Sequence, residues 1–233
     1  MLAVLPDSEG TPRLGQVPDP QPAAGEVLVE VAATALNRVD LMQLQGLYPP
    51  PPGESDIPGL ECAGRVSAVG VGVSDDWLGR PVMALLGGGG HAQRVAIPEG
   101  QLMPLPEGWS MEQGAAVPEV ALTAWTNLVA EGRLEAGETV LISGAASGVG
   151  SFAVQLAKAL DARVLVAGRT LSRLETLLPL GAEACVVLGE DLPQRVRELT
   201  AGSGADVVLE LVGGEHLPRN LKALAPRGRL VLV

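Results

Sequence analysis

Thr139-Val140-Leu141-Ile142-Ser143-Gly144-Ala145-Ala146-Ser147-Gly148-Val149-Gly150 runs from apolar, strand-forming residues into a series of small ones, and a helix-length segment follows. A strand that ends in small residues and opens a helix suits a pyrophosphate. The backbone can approach the ligand, the free N–H groups at the helix start donate to it, and the helix dipole favours its charge. With Gly150 as the third glycine of a GxGxxG pattern, Ala145 and Ser147 fill the first two glycine positions, so the spacing survives with the next smallest residues. Ala146, Ser147, Gly148, Val149 and Gly150 are therefore candidate ligands of a dinucleotide. The Ser147 hydroxyl is a donor, and Gly150 permits close helix-to-strand packing. An ordinary strand-to-helix loop would also be rich in small residues, so the chain beyond the turn has to separate the two readings.

Beyond the turn, strand-like and helix-length segments alternate. Strands are expected at 139–143, 163–167, 184–188, 206–211 and 229–233, and helices at 149–160, 171–180, 192–200 and 216–224, with a longer helix at 111–131 ahead of them. Continuous apolar strands covered by amphipathic helices imply a parallel sheet buried on both faces, which is the doubly wound Rossmann arrangement. Two complete halves need six strands, and only five can be counted before Val233. The expectation is that the sheet is incomplete, and that the sequence is a fragment of a longer protein or completes its sheet through a partner.

The end of the second strand selects the cofactor. An acid there would bind the ribose 2′-hydroxyl of NAD, whereas Ala167-Gly168-Arg169, with Arg173 a helical turn further on, offers guanidinium groups for the 2′-phosphate of NADPH. Gly168, Arg169 and Arg173 join the candidate cofactor residues, the competing reading being two solvated surface charges. Val212 and Gly213, at the end of the fourth strand, are further candidates.

Residues 1–110 read differently, as short β-like runs at 26–32, 64–69, 81–86 and 93–97 separated by Gly and Pro. Pro49 to Pro52 forms a stiff loop that is neither helix nor central strand. The expected division is a β-rich domain over 1–110 and a dinucleotide-binding domain over 111–233.

The formal net charge of −11 repels nucleic acid and anionic lipid surfaces, so neither is an expected partner. No apolar run reaches the length of a membrane span, and Pro6 and Asp7 interrupt the amino terminus before a signal-peptide core; a cytoplasmic location is expected. Cys62 and Cys185 form no CxxC pair and read as small buried hydrophobes. His91 and His216 have no spaced ligand partners and read as surface or loop residues.

The stretch Ala35-Leu36-Asn37-Arg38-Val39-Asp40-Leu41-Met42-Gln43-Leu44-Gln45-Gly46-Leu47-Tyr48, with Pro58-Gly59-Leu60-Glu61-Cys62-Ala63-Gly64, resembles the medium-chain dehydrogenase/reductase superfamily, and within it the zeta-crystallin-like quinone oxidoreductases. The likeness continues through Ala84 to Gly89, Val95 to Gly100, Leu122-Thr123-Ala124-Trp125 and Ser147 to Gly150. It implies a GroES-like substrate domain before the Rossmann domain, an active site in the cleft between them, a chain that continues past Val233, and a homodimer when full length. Zinc-dependent relatives place a Cys where Asn37 falls and a His where Leu60 stands, so the resemblance implies a zinc-free enzyme that reduces a quinone or an enone with NADPH. It also places Tyr48 near the nicotinamide, as a pocket wall or as a donor, Asn37 on the substrate side, and Thr123 beside the nicotinamide ribose. Asn37 could instead be a loop cap, and Thr123 a helix-packing residue. An enoyl-thioester reductase and a non-catalytic NADPH-binding or structural protein are the competing functions.

Overall fold

A strand with one buried face alternates inward and outward positions, and Glu26–Thr34 does so: its burial alternates along the chain, with Val27 and Val29 fully enclosed. A computed structural model describes residues 1–189 and 191–233. The chain forms two compact units, Met1–Glu119 and Val120–Val233.

In the first unit β1 (Leu2–Pro6) and β2 (Pro12–Gln16) make an antiparallel hairpin. After β3 (Glu26–Thr34) comes the short helix α1 (Arg38–Leu44), followed by β4 (Glu61–Val69), β5 (Pro81–Leu85), β6 (Arg94–Pro98) and β7 (Leu102–Pro104). These strands pair antiparallel in the order β6-β3-β4-β5-β7. Val27, Val29, Val66, Val82 and Ile97 form the main core. Helix α2 (Met111–Ala115) buries Ala115 against Ala63 and Met83 of β4 and β5, which carries this unit past the boundary expected at residue 110.

The single helix expected over 111–131 is broken. α2 stops, α3 (Pro118–Trp125) starts afresh, and a π-helical turn follows over Thr126–Glu131. Pro118 has no N–H to give a preceding turn, and its ring disfavours helical geometry in the residue before it.

The second unit holds β8 (Thr139–Ser143), α4 (Gly148–Ala159), β9 (Arg163–Gly168), α5 (Leu171–Glu175), β10 (Ala184–Val187), α6 (Leu192–Leu199), β11 (Ala205–Glu210), α7 (Leu217–Ala223) and β12 (Leu224–Leu232). Its strands are parallel in the order β10-β9-β8-β11-β12, the doubly wound order expected for a Rossmann sheet. Every residue of β8 is buried because alternate residues serve opposite layers. Val140 and Ile142 pack with Ala153, Val154 and Ala157 of α4, while Leu141 packs with Leu192, Val196 and Ala223.

The last strand starts at Leu224 rather than near residue 229. Its pairing with β11 slips between Ala205 and Val207, and Arg227 takes a φ of 65° inside the irregular stretch. Arg229 locks this strand down by pairing with both carboxylate oxygens of Glu138, at 2.7 Å each, and donating to the carbonyls of Gly132 and Arg133. The helix expected over 171–180 ends at Glu175, and a single 3-10 turn over Leu178–Leu180 replaces its last part. Among the described residues no helix is long and apolar enough to cross a membrane.

Candidate cofactor and substrate sites

In the second unit the chain leaves β8 at Ser143 and turns at Gly144, whose φ of 78° favours glycine. The N–H groups of Gly144 and Ala145 donate to Ala167 O at 2.9 and 3.2 Å, tying the turn to β9. Ser147 caps α4: its Oγ accepts the Gly150 N–H at 3.1 Å, which leaves its own proton free to donate. A Cβ on Gly150 would stand 2.5 Å from Ala145 O and 2.6 Å from Ala145 C and Cα, so the turn closes only around glycine.

A cavity of about 760 Å³ opens beside this turn, and Ala146, Ser147, Gly168, Arg169, Arg173 and Val212 line it together. Gly148, Val149 and Gly150 make the first turn of α4 behind Ser147. Gly213 follows Val212 on the loop after β11, and Thr123 lies in α3, where its carbonyl accepts from Asn127 at 2.9 Å; neither lines the cavity. Among the described residues neither Arg169 nor Arg173 enters an ion pair. His216, expected as a surface or loop residue, forms part of the cavity wall. Its Nδ1 is buried without a hydrogen bond among the described residues.

The loop carrying Val212 and Gly213 is organised by Glu210, which is fully buried. Its Oε1 accepts the N–H groups of Val212 and Gly213 at 2.6 and 2.8 Å, and its other oxygen accepts from Asn220. A lone acid at the end of the apolar run of β11 was the sequence signal for this role.

In the first unit a ring of polar groups surrounds Asn37, with Asp40 and Glu61 buried and Thr34 at the exposed side. The Asn37 backbone N–H donates to Asp40 Oδ2 at 2.6 Å in a capping box at the start of α1, and its Nδ2 donates to Glu61 Oε1 at 2.8 Å. Glu61 Oε2 accepts the Glu119 N–H at 2.9 Å. The Thr34 hydroxyl donates to the Glu61 carbonyl at 2.7 Å and lies 3.1 Å from His91 Nδ1. His91 Nε2 in turn stands 3.3 Å from Asp40 Oδ2. His91 lies on the loop before β6, as expected of a loop residue, yet only 7% of its side chain is exposed; local sequence gives no sign that Thr34 of β3 and Asp40 of α1 stand against it.

Burial pushes the Glu61 carboxyl above the ordinary glutamate range, and the N–H donors from Glu119 and Asn37 act against that rise. Cys62 beside it is enclosed as expected, and burial together with the Glu61 charge pushes its thiol up to about 12. Cys185 is only partly buried. Asn37, Asp40 and His91 line a cavity of about 1020 Å³ whose other walls are largely apolar, including Leu14, Leu36 and Leu41. Tyr48 does not line it and sits on the loop after α1, 43% exposed.

Residues 23–107 match the alcohol dehydrogenase GroES-like domain, and residues 148–233 match the zinc-binding dehydrogenase family. The solved CurK enoyl reductase is 31% identical with a TM-score of 0.91, the alignment covering 99% of this chain and 73% of that one. The chain belongs to the medium-chain dehydrogenase/reductase superfamily. The quinone oxidoreductase of Thermus thermophilus, solved also in complex with NADPH, is 38% identical with a TM-score of 0.83, covering 99% of this chain and 72% of that one. A phenolphthiocerol/phthiocerol polyketide synthase subunit of Mycobacterium tuberculosis is 35% identical over 215 residues, which is 91% of this chain and 10% of that subunit. Quinone oxidoreductases and enoyl reductases of the superfamily thus both resemble this chain.

A nicotinamide dinucleotide fits the second unit. The Gly150 turn, the Ser147 hydroxyl and the start of α4 suit a pyrophosphate, and the guanidinium groups of Arg169, just past β9, and of Arg173, in α5, line the same cavity. A zinc site of the superfamily's zinc-dependent kind does not fit the first unit. Asn37 and Leu60, which the resemblance sets at the ligand positions of zinc-dependent relatives, offer neither thiolate nor imidazole, and among the described residues no group of three or more His, Cys, Asp or Glu side chains is arranged around a metal position.

Proposed function

We propose that this chain serves an NADPH-dependent reductase of quinones or α,β-unsaturated carbonyl compounds. One observation carries the reading: the cavity beside the Ser147 turn has Arg169 and Arg173 where an NAD-binding protein would carry an acid. In this reading the N–H groups at the start of α4 and the Ser147 hydroxyl bind the pyrophosphate, and the two arginines hold the 2′-phosphate through charge-assisted hydrogen bonds. The bound cofactor supplies a hydride. The negative charge that develops on the substrate oxygen needs only a donor or a solvent proton. Asn37 orients the substrate or the nicotinamide amide, and Tyr48 walls the pocket rather than acting as an obligate acid, because an ordinary phenol titrates near about 10. The partners in this reading are a small-molecule quinone or enone and a second copy of the protein.

A second reading, an enoyl-thioester reductase, is favoured by the likeness to the CurK enoyl reductase and to the polyketide synthase subunit. NADPH oxidation measured with a quinone, an alkenal and an enoyl thioester separates the two. Tight NADPH binding without turnover of any of them refutes both and leaves a binding protein. Arg169→Asp should weaken NADPH binding about 10- to 100-fold and change NADH binding much less. Equal losses for the two cofactors would remove the 2′-phosphate contact.

A further inference from the structure

The ring in the first unit leaves the Asn37 amide only one way round. A carboxylate offers acceptors alone, and both oxygens of Glu61 are engaged, Oε1 by Asn37 Nδ2 and Oε2 by the Glu119 backbone N–H. An amide oxygen turned toward Oε1 would set lone pairs against a charge that is 1% exposed. The nitrogen therefore faces Glu61, while the Asn37 backbone is held at the start of α1, its N–H donating to Asp40 Oδ2 and its carbonyl accepting the Asp40 N–H. Thr34 donates to the Glu61 backbone carbonyl, and His91 stands between Thr34 and Asp40.

Stability alone gives little reason for an acid here. No cation pairs with Glu61 among the described residues, and its charged neighbours Glu119 and Asp40 repel it. A neutral side chain of the same size would pack at lower cost in such a place. We propose that Glu61 is a positioning residue of the substrate site, one that fixes the orientation of the Asn37 amide so that its remaining N–H and its oxygen meet a ligand at set places. This rests on the reading of Asn37 as a substrate-side residue.

Glu61→Gln tests it with almost no change in shape. The variant has one acceptor for two donors; the Glu119 N–H cannot turn, so the Asn37 amide must flip or lose its partner. The Asn37 side-chain amide signals in a ¹⁵N NMR spectrum, identified by their absence in Asn37→Asp, should shift in Glu61→Gln. The kcat for a carbonyl substrate should fall about 10- to 100-fold with NADPH binding unchanged. In the double variant N37D/E61Q the introduced amide donates to the introduced carboxylate and accepts from Glu119, so its loss of melting temperature should be smaller than the sum of the two single losses. Unshifted Asn37 signals in E61Q, an unchanged kcat or additive melting losses would overturn the proposal. If the wild-type chain reduces none of the three substrate classes, the substrate-side reading of Asn37 falls, while the amide signals and the melting cycle still decide whether Glu61 orients it.

Discussion

The turn at Ser147 and the ring around Glu61 are both sites built from polar groups at the edge of an apolar core, yet they are assembled by different means. The turn spans a few consecutive residues and works mainly through its backbone. Gly150 closes against Ala145, Ser147 caps the helix that Gly148 begins, and bonds to Ala167 tie the segment to β9. The ring gathers Thr34, Asn37, Asp40, Glu61, His91 and Glu119, and apart from the local Asn37–Asp40 capping bond each contact in it joins segments that only the fold brings together. A local backbone device can be read from spacing and residue size. A side-chain network joining distant segments cannot.

The largest expected effect breaks the local device. Gly150→Val drives a branched side chain into the Ala145 backbone, where even one added carbon would lie at 2.5 Å. It should cost about 3 kcal/mol of stability and lower NADPH affinity by about 100-fold or more, read by denaturant unfolding and fluorescence titration. Near-normal NADPH affinity in this variant would mean that the turn does not hold the pyrophosphate.

A smaller effect breaks the ring. Asp40→Ala leaves the Asn37 N–H without its 2.6 Å acceptor and His91 Nε2 without its neighbour. It should cost about 2 kcal/mol in chemical unfolding with NADPH affinity retained. An equal loss of NADPH affinity would tie the ring to the cofactor turn and erase the contrast between the two regions.

The smallest effect is in pH. The Arg229 hydrogen bonds hold the Glu138 carboxyl below its ordinary range, and Arg163 does the same for Glu183. Stability from these depressed carboxyls is present above their unfolded values and is lost as pH falls through the folded ones. Glu61 works with the opposite sign: its raised value favours the folded state at acid pH, and that contribution is lost as pH rises through it. The melting temperature of Glu138→Gln should therefore fall less steeply than that of the wild type on acidification below about pH 4.5. Identical slopes would deny the Arg229 pair a share in stability.

The parallel sheet of the second unit was legible because its strands are continuous apolar runs whose alternate residues serve two buried layers, a pattern local to each segment. The hairpin of β1 and β2 was not, since β2 exposes nearly all its residues and gives no alternation. The break at Pro118 was legible in principle, because proline's missing N–H is a property of the residue itself.

Sequence by itself determined the parallel sheet, the small-residue turn and the paired arginines at the end of the second strand. Strand periodicity, residue size and charge are carried by neighbouring residues and need no knowledge of the rest of the chain. Only the tertiary structure decided that His91 lies enclosed between Thr34 and Asp40, that His216 walls the cavity of Arg169 and Arg173, and that Glu61 holds Asn37. Buried polar groups take their partners wherever the fold supplies them, and those partners stand tens of residues away along the chain.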